Sequence, residues 1–156
     1  DFIVSMNGQD IPLSVVNLHM KCCDSGLARR QKAAQMLYEY LDESYAEQSN
    51  IIVLGDWNDD TKDEPGQHCF EPFFQDDRFY FTTREIAFDI EQATYPKEPY
   101  VSFLDHIMVS EQLLPRETDY DVKTILMGEY MGGYDVYESY ISDHLPVMLS
   151  FSIKPL

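Results

Sequence analysis

The sequence predicts a mixed α/β fold, in which strands and helices alternate along the chain and pack in layers. One observation is the short apolar run NIIVLG at 50–55, which is typical of a central strand in a sheet. Another is the preceding segment, 24–50, whose small and apolar side chains recur at helical spacing. A strand-like segment at 11–20 comes before both. The order strand, helix, strand indicates a helix packed against a sheet.

Length and composition are compatible with one domain spanning residues 1–156. Of the 156 residues, 44% are apolar, which is enough to form a buried core. No apolar stretch approaches the roughly 20 residues that cross a bilayer, so we expect no transmembrane segment. The chain begins with Asp1 rather than methionine, and we expect a processed chain or a fragment.

The charge balance is strongly acidic and bears on the class of substrate. The chain has 28 acidic and 11 basic residues, which give a net charge of −17. Lysine and arginine contacts to phosphates supply most of the affinity for nucleic acid, so a strong general DNA-binding protein is disfavoured. A polyanionic substrate would need a metal cation as a mediator. The acidic segment GDWNDDTKDE at 55–64 offers oxygen ligands, although most such segments are solvated loops.

The first segment, 1–20, predicts a β-hairpin. Asn7 and Gly8 separate two apolar runs, and this dipeptide favours the tight turns that join antiparallel strands. In the second run, Asn17 and His19 are two residues apart. Both side chains are therefore expected on one face near the end of the strand.

The next segment predicts an amphipathic helix that begins at the capping residues Asp24 and Ser25. The run NIIVLG follows as a strand that we expect to be buried on both faces. The apolar stripe of the helix is expected to contain Ala33, Ala34, Leu37, Tyr38, Leu41 and Tyr45.

The second half of the chain predicts a covering segment and two further strands. The phenylalanine-rich stretch 69–83 is interpreted as a lid or short helix over the core, because few basic residues accompany it. The stretches 100–110 and 142–153 each resemble a strand and each contains an Asp-His pair. Between them, Met127–Tyr140 is expected to be an irregular connection.

The three cysteines do not form a metal or redox motif. Cys22 and Cys23 are adjacent, and Cys69 is distant in sequence, so no CxxC pair exists. A bridge from Cys69 to the adjacent pair and a set of buried thiols both remain open.

Ionisable or amide side chains interrupt or end several apolar strands, which is unusual for strands that pack into a core. A buried carboxylate is costly unless it is paired, hydrogen-bonded or bound to metal, so together they indicate one shared polar site. Each alone has a simpler explanation as a turn residue, a cap or half of an ion pair. We assign structural roles to His68 and His106. The candidate site residues are His19, Asp56, Asn58, Asp105, Asp143 and His144.

Four short motifs occur in a defined order: NLH at 17–19, GDWN at 55–58, LDHI at 104–107 and SDHLPV at 142–147. In this order they resemble the endonuclease/exonuclease/phosphatase superfamily. That group includes pancreatic deoxyribonuclease, abasic-site endonucleases, neutral sphingomyelinases and inositol-polyphosphate phosphatases. The resemblance runs from Phe2 to Ile153, nearly the whole chain.

The resemblance implies a fold and also an absent part of it. The family fold is a four-layered α/β sandwich (DNase I-like) in which two sheets pack face to face. The chain resembles its C-terminal portion, while the family's early asparagine and metal-binding glutamate have no counterpart here. We therefore expect an incomplete domain that pairs with its missing N-terminal half or forms a strand-exchanged dimer.

The resemblance also implies a reaction, the hydrolysis of a phosphodiester by activated water with the help of Mg²⁺ or Mn²⁺. His144 is expected to be the general base, and Asp105 to hold its imidazole in the correct tautomer. His19 is expected to donate to the phosphate and to stabilise the developing charge.

The remaining site residues are expected to bind metal, water or phosphate. By resemblance, Asp56 positions water or metal, and Asn58, two residues further along the chain, donates to a phosphate oxygen and lies at the metal site. Asp143 is expected to bind the metal together with the glutamate that this chain lacks. A nuclease-like phosphodiesterase is the first interpretation. A lipid or inositol phosphoesterase, or a non-catalytic binding protein on the same fold, remains open.

Overall fold

The computed structural model describes residues 1–6 and 8–152, without the side chains of Met6 and Gln9. The prediction of a mixed α/β fold is confirmed. No helix in the described part of the chain is long and apolar enough to cross a membrane. The strands are β1 (Phe2–Met6), β2 (Gln9–His19), β3 (Ile51–Asp56), β4 (Phe79–Phe81), β5 (Asp105–Ser110), β6 (Tyr120–Thr124) and β7 (Val147–Phe151). The helices are α1 (Leu27–Ser44), α2 (Glu71–Phe74), α3 (Gly128–Met131) and α4 (Tyr134–Tyr140), with 3₁₀ turns at Asp24–Gly26, Ile86–Phe88 and Ile90–Gln92.

A five-stranded mixed sheet forms the centre of the molecule, in the order β1-β2-β3-β5-β4. Strands β2 and β3 are parallel, and the other neighbouring pairs are antiparallel. The predicted hairpin is confirmed by the β1–β2 pairing, whereas its turn residue Asn7 lies outside the described residues. The predicted central strand is confirmed as β3. Strands β6 and β7 form a separate two-stranded sheet.

Helix α1 covers one face of the five-stranded sheet, where Ile51 and Val53 of β3 are buried. The predicted stripe is largely correct, but Ala33 is exposed and Arg30 is buried in its place. Residues 30, 34, 37 and 41 recur at intervals of three or four, and position 33 falls beside this row.

The predicted helix start is wrong by two to three residues. Asp24 begins a 3₁₀ turn, and α1 follows Gly26, which offers no side-chain cap. A Cβ atom at Gly26 would lie 2.6 Å from the carbonyl oxygen of Lys21 and 2.8 Å from the guanidinium of Arg30. Close packing against the end of β2 therefore requires glycine where a capping side chain was expected.

The second face of the sheet packs on the β6–β7 sheet. Ile107, Val109 and Leu114 are buried there. Ile52 and Leu54 of β3 are only half-buried, so the prediction that β3 is buried on both faces is wrong for this side. The reason is that the second sheet has just two strands among the described residues and leaves part of this surface open.

The phenylalanine-rich stretch is part of the core and is not a lid. It forms α2 and the edge strand β4, so the predicted short helix is confirmed. The rings pack in edge-to-face and tilted contacts around the fully buried Trp57. The buried phenylalanines of this stretch are Phe70, Phe73, Phe79 and Phe81.

The segment between β6 and β7 is helical, contrary to the expected irregular connection. Gly132 and Gly133, with φ of 88° and 122°, separate α3 from α4. These glycines suggested a loop, but they act as a left-handed helix end and a second helix start. The predicted last strand begins only at Val147, so Asp143 and His144 lie in the turn before it.

Candidate functional site

Three site residues lie in one row across neighbouring strands. His19 is opposite Asp56 in the β2–β3 register, and Asp56 is opposite Asp105 in the β3–β5 register. Parallel β2 and β3 end at this edge of the sheet, and antiparallel β5 begins there. Opposed side chains project to the same face, so residues far apart in sequence meet.

His144 reaches this row from the turn before β7. Its Nδ1 lies 2.7 Å from Oδ2 of Asp105, and both side chains are partly exposed. An ionised carboxylate can only accept, so Nδ1 carries a proton, and in the neutral ring Nε2 keeps its lone pair. Nε2 makes no hydrogen bond to any residue in the described ranges. The hydrogen bond to Asp105 raises the pKa of His144, against the opposing effect of burial.

Asp56 is the most enclosed carboxylate of the row, with a side chain 13% exposed. Its Oδ1 accepts from the backbone N–H of Asn58 at 2.8 Å, and its Oδ2 lies 3.3 Å from Nε2 of His19. Burial raises the pKa of Asp56, and the negative charge of Asp105 raises it further. A cation placed here would relieve both effects.

Asn58 orients Asp56. Its Nδ2 donates to Oδ2 of Asp56 at 2.7 Å and to the carbonyl of Met20 at 3.0 Å. The backbone at Asn58 has φ of 54°, a left-handed conformation that asparagine tolerates better than most residues. Both amide protons are used within the protein, so donation to a phosphate would have to displace one of these contacts.

His19 and Asp143 lie at the margin of the site. The side chain of His19 is 76% exposed, which leaves it accessible to a ligand. Asp143 is exposed and lies outside the group of converging ligand atoms, although its charge also raises the pKa of His144. Asp143 and His144 lie in the same turn, and this turn brings His144, but not Asp143, into contact with Asp105.

The carboxylates of Asp56 and Asp105 could hold a divalent cation, and the imidazole of His144 lies beside them, where Nε2 could bind the cation or stay free as a base. One ligand atom from each lies within 4.8 Å of the others. Carboxylate oxygens suit Mg²⁺, and an imidazole nitrogen is accepted more readily by Mn²⁺. The sequence predicts that Asp105 orients the histidine, and no local pattern indicates that it could also serve as a ligand.

Asp105 and His144 are called the dyad. Thr94 connects the backbone next to both residues, and sequence reasoning missed it. Its side chain is fully buried, and its Oγ1 accepts from the backbone N–H groups of Leu104 and Asp105 at 2.9 and 3.1 Å. Its carbonyl accepts from the N–H of Leu145 at 2.7 Å. A lone threonine in a loop carries no local pattern that could have identified this contact.

Two carboxylates that follow β3, those of Asp59 and Asp60, have structural roles. Asp59 is buried and accepts from Arg30 at 2.5 Å. Asp60 is buried and accepts from the N–H of Phe103, and it also pairs with Lys62. Neither a solvated loop nor a metal site describes these two carboxylates.

The other two histidines are buried. Burial lowers the pKa of His106 to about 4, and its ring contacts Thr83. The prediction that His106 points away from the face of Asp105 is confirmed, because its ring packs in the aromatic core. His68 accepts from the N–H of Phe70 at 3.1 Å. All three cysteines are free thiols, but only Cys69 is buried, whereas Cys22 is half-buried and Cys23 is exposed.

Comparison with known proteins identifies no relative. The chain matches no protein-family model, and no curated protein is significantly similar to it.

Proposed function

We propose that this protein is a divalent-metal-dependent phosphodiester hydrolase, nuclease-like in its chemistry, on an endonuclease/exonuclease/phosphatase fold. The hydrogen bond between His144 and Asp105, next to the enclosed carboxylate of Asp56, is the observation that carries the proposal. The two sheets packed face to face, with α1 outside the larger one, agree with three layers of a four-layered α/β sandwich.

The dyad has the arrangement that a general base requires. Asp105 accepts from Nδ1 of His144, which leaves Nε2 free to take a proton from water as the water attacks phosphorus. Asp105 also stabilises the imidazolium that forms. The attack is proposed to break the phosphorus–oxygen bond to the leaving alkoxide.

The carboxylates fit a cation because ionised Asp56 and Asp105 repel each other at close range. A bound Mg²⁺ or Mn²⁺ would supply charge neutralisation on the phosphate and on the leaving oxygen. Asn58 would fix the Asp56 carboxylate, and exposed His19 would donate to a phosphate oxygen.

Two substrate classes compete for this site. The row opens to solvent at the exposed side chain of His19, where a nucleic-acid strand could approach, and this supports nuclease-like action. The net charge of −17 favours instead a substrate with few phosphates, such as a lipid or inositol phosphoester. A comparison of single-stranded DNA, sphingomyelin vesicles and an inositol polyphosphate, each with Mg²⁺ and Mn²⁺, would distinguish these classes.

Replacement of the general base tests the reaction class. His144→Ala should lower the hydrolysis of bis(p-nitrophenyl) phosphate about 10²–10⁴-fold, because proton transfer from water is lost. Stability should change little, since the side chain is partly exposed. Rates with Mg²⁺ or Mn²⁺ are to be compared with those of Asp121→Asn, an exposed carboxylate on β6.

Two results would contradict the proposal. One is a wild-type rate of hydrolysis in His144→Ala, which would show that His144 is not the general base. The other is the absence of hydrolysis of every substrate class with either metal. Metal binding without hydrolysis would then favour the alternative of a non-catalytic binding protein on this fold.

A further inference from the structure

We propose that Tyr137 is a positioning residue for His144, which it holds through the peptide backbone, and that α4 carries it for this purpose. The inference rests on the proposed hydrolase function, in which His144 is the general base.

The contacts of α4 converge on the turn that contains His144. The hydroxyl of Tyr137 donates to the carbonyl oxygen of His144 at 2.9 Å. One helical turn earlier, the hydroxyl of Tyr134 donates to the carbonyl oxygen of Asp143 at 2.7 Å. The spacing of three residues places both tyrosines on one face of the helix, where their ring centroids lie 6.5 Å apart. Two successive carbonyls are thus held by one helix.

This support matters because His144 is not in a strand. β7 begins three residues later, so no sheet ladder fixes the backbone at this point. The N–H of His144 donates instead to the hydroxyl of Ser142, and the N–H of Leu145 donates to the carbonyl of Thr94. Tyr137 supplies the partner for the remaining carbonyl. Its side chain is 3% exposed, so water has little access to replace it.

The helix is also tied to the loop that orients the other half of the dyad. Glu138 of α4 forms an ion pair with Lys97. Three residues before Lys97, Thr94 holds the backbone of Asp105. The adjacent Tyr95 packs its ring against the imidazole of His144, with centroids 5.2 Å apart. The helix, the loop and the dyad therefore form one connected unit.

A positioning role predicts a particular kinetic change. Loss of the hydroxyl leaves the ring in place but frees the carbonyl of His144, so the imidazole is no longer held at the distance that proton transfer requires. Substrate contacts are unchanged, because Tyr137 is buried behind the turn. The expected loss is therefore in kcat and not in KM.

The test compares Tyr137→Phe with Tyr140→Phe, which removes a hydroxyl from the same helix at a side chain that is 79% exposed. In Tyr137→Phe, kcat should fall roughly tenfold or more with KM nearly constant. In Tyr140→Phe both should stay at wild-type values. The ring of Tyr134 is only half-buried, so Tyr134→Phe should show a smaller fall in kcat. This variant replaces Tyr137→Phe in the test if Tyr137→Phe folds poorly.

A second readout does not depend on activity. In the metal-free protein, the NMR nuclear Overhauser effect between the rings of His144 and Tyr95, whose centroids lie 5.2 Å apart, should be weaker in Tyr137→Phe than in wild type, because the imidazole is no longer held in place. Tyr140→Phe should give the wild-type intensity. Unchanged kcat together with an unchanged nuclear Overhauser effect would overturn the inference, as would equal losses in both variants. If the wild-type protein hydrolyses no phosphodiester, the proposed function fails, and the nuclear Overhauser effect alone decides the positioning role.

Discussion

At the scale of single residues, the site holds charges that are unfavourable without a ligand. Asp56 is enclosed, faces Asp105, and is stabilised by Asn58 and by the marginal contact with His19. Such arrangements cost stability and are typical of sites that bind or react.

The strain at Asp56 predicts how stability depends on pH in the metal-free protein. Its pKa is raised in the folded state, so its contribution to stability is complete at low pH and declines as pH rises through the folded pKa. Asp56→Asn lacks this decline. The free energy of unfolding is measured in urea with a chelator. The value for Asp56→Asn minus the value for wild type should therefore increase as pH rises from about 3 to about 7. Asp121→Asn should show no such relative gain, and a constant difference between Asp56→Asn and wild type would contradict this account.

At the scale of elements, α1 does more than cover the sheet. Arg30 on its buried face donates to the carbonyls of Lys21 and Cys23, each at 2.8 Å, and pairs with Asp59 after β3. One guanidinium therefore joins the helix to the segments that follow two parallel strands.

This junction predicts a large effect of one substitution on α1. Arg30→Ala should lower the free energy of unfolding by about 3–5 kcal/mol, because it leaves Asp59 buried without its partner. Arg29→Ala, at an exposed position next to it, should cost less than about 0.5 kcal/mol. Urea denaturation of both variants measures the difference, and similar losses would show that the buried pair adds little.

Local sequence patterns predicted the helices and strands better than the contacts between them. The apolar run of β3 and the helical period of α1 are local signals, and both elements formed within a few residues of the expected positions. The roles of α4 and of Thr94 depend on hydrogen bonds across the fold to the backbone of distant residues. No short-range period records such contacts. The adjacent glycines before α4 even suggested a loop.

The candidate site was predicted in part for the same reason. Its residue types stood out because charges end apolar strands, and the resemblance to a family grouped them. The exposed position of Asp143 and the internal use of the Asn58 amide depend on how the chain turns after each strand. Sequence spacing does not determine those turns.

At the scale of the whole molecule, the cation site should be coupled to folding. A ligand that binds only the folded state stabilises it in proportion to the logarithm of its concentration above Kd, by about 2.7 kcal/mol at one hundred times Kd. Mg²⁺ or Mn²⁺ should therefore raise the Tm of the wild-type protein. The increase should be lost in Asp105→Asn and retained in Asp121→Asn. A Tm that responds to neither metal in wild type would argue against a cation at this site.

The row of His19, Asp56 and Asp105 depends on the register in which the strands of the sheet pair. His106 follows Asp105 and points to the opposite face, where it packs among Phe70, Phe81 and Phe103. A slip of β5 by one residue against β3 would exchange the two, so that a carboxylate entered the aromatic core and an imidazole faced Asp56. A chain with misaligned strands would lose both its aromatic core and the candidate site. The strand register that forms the core is therefore the same register that assembles the site.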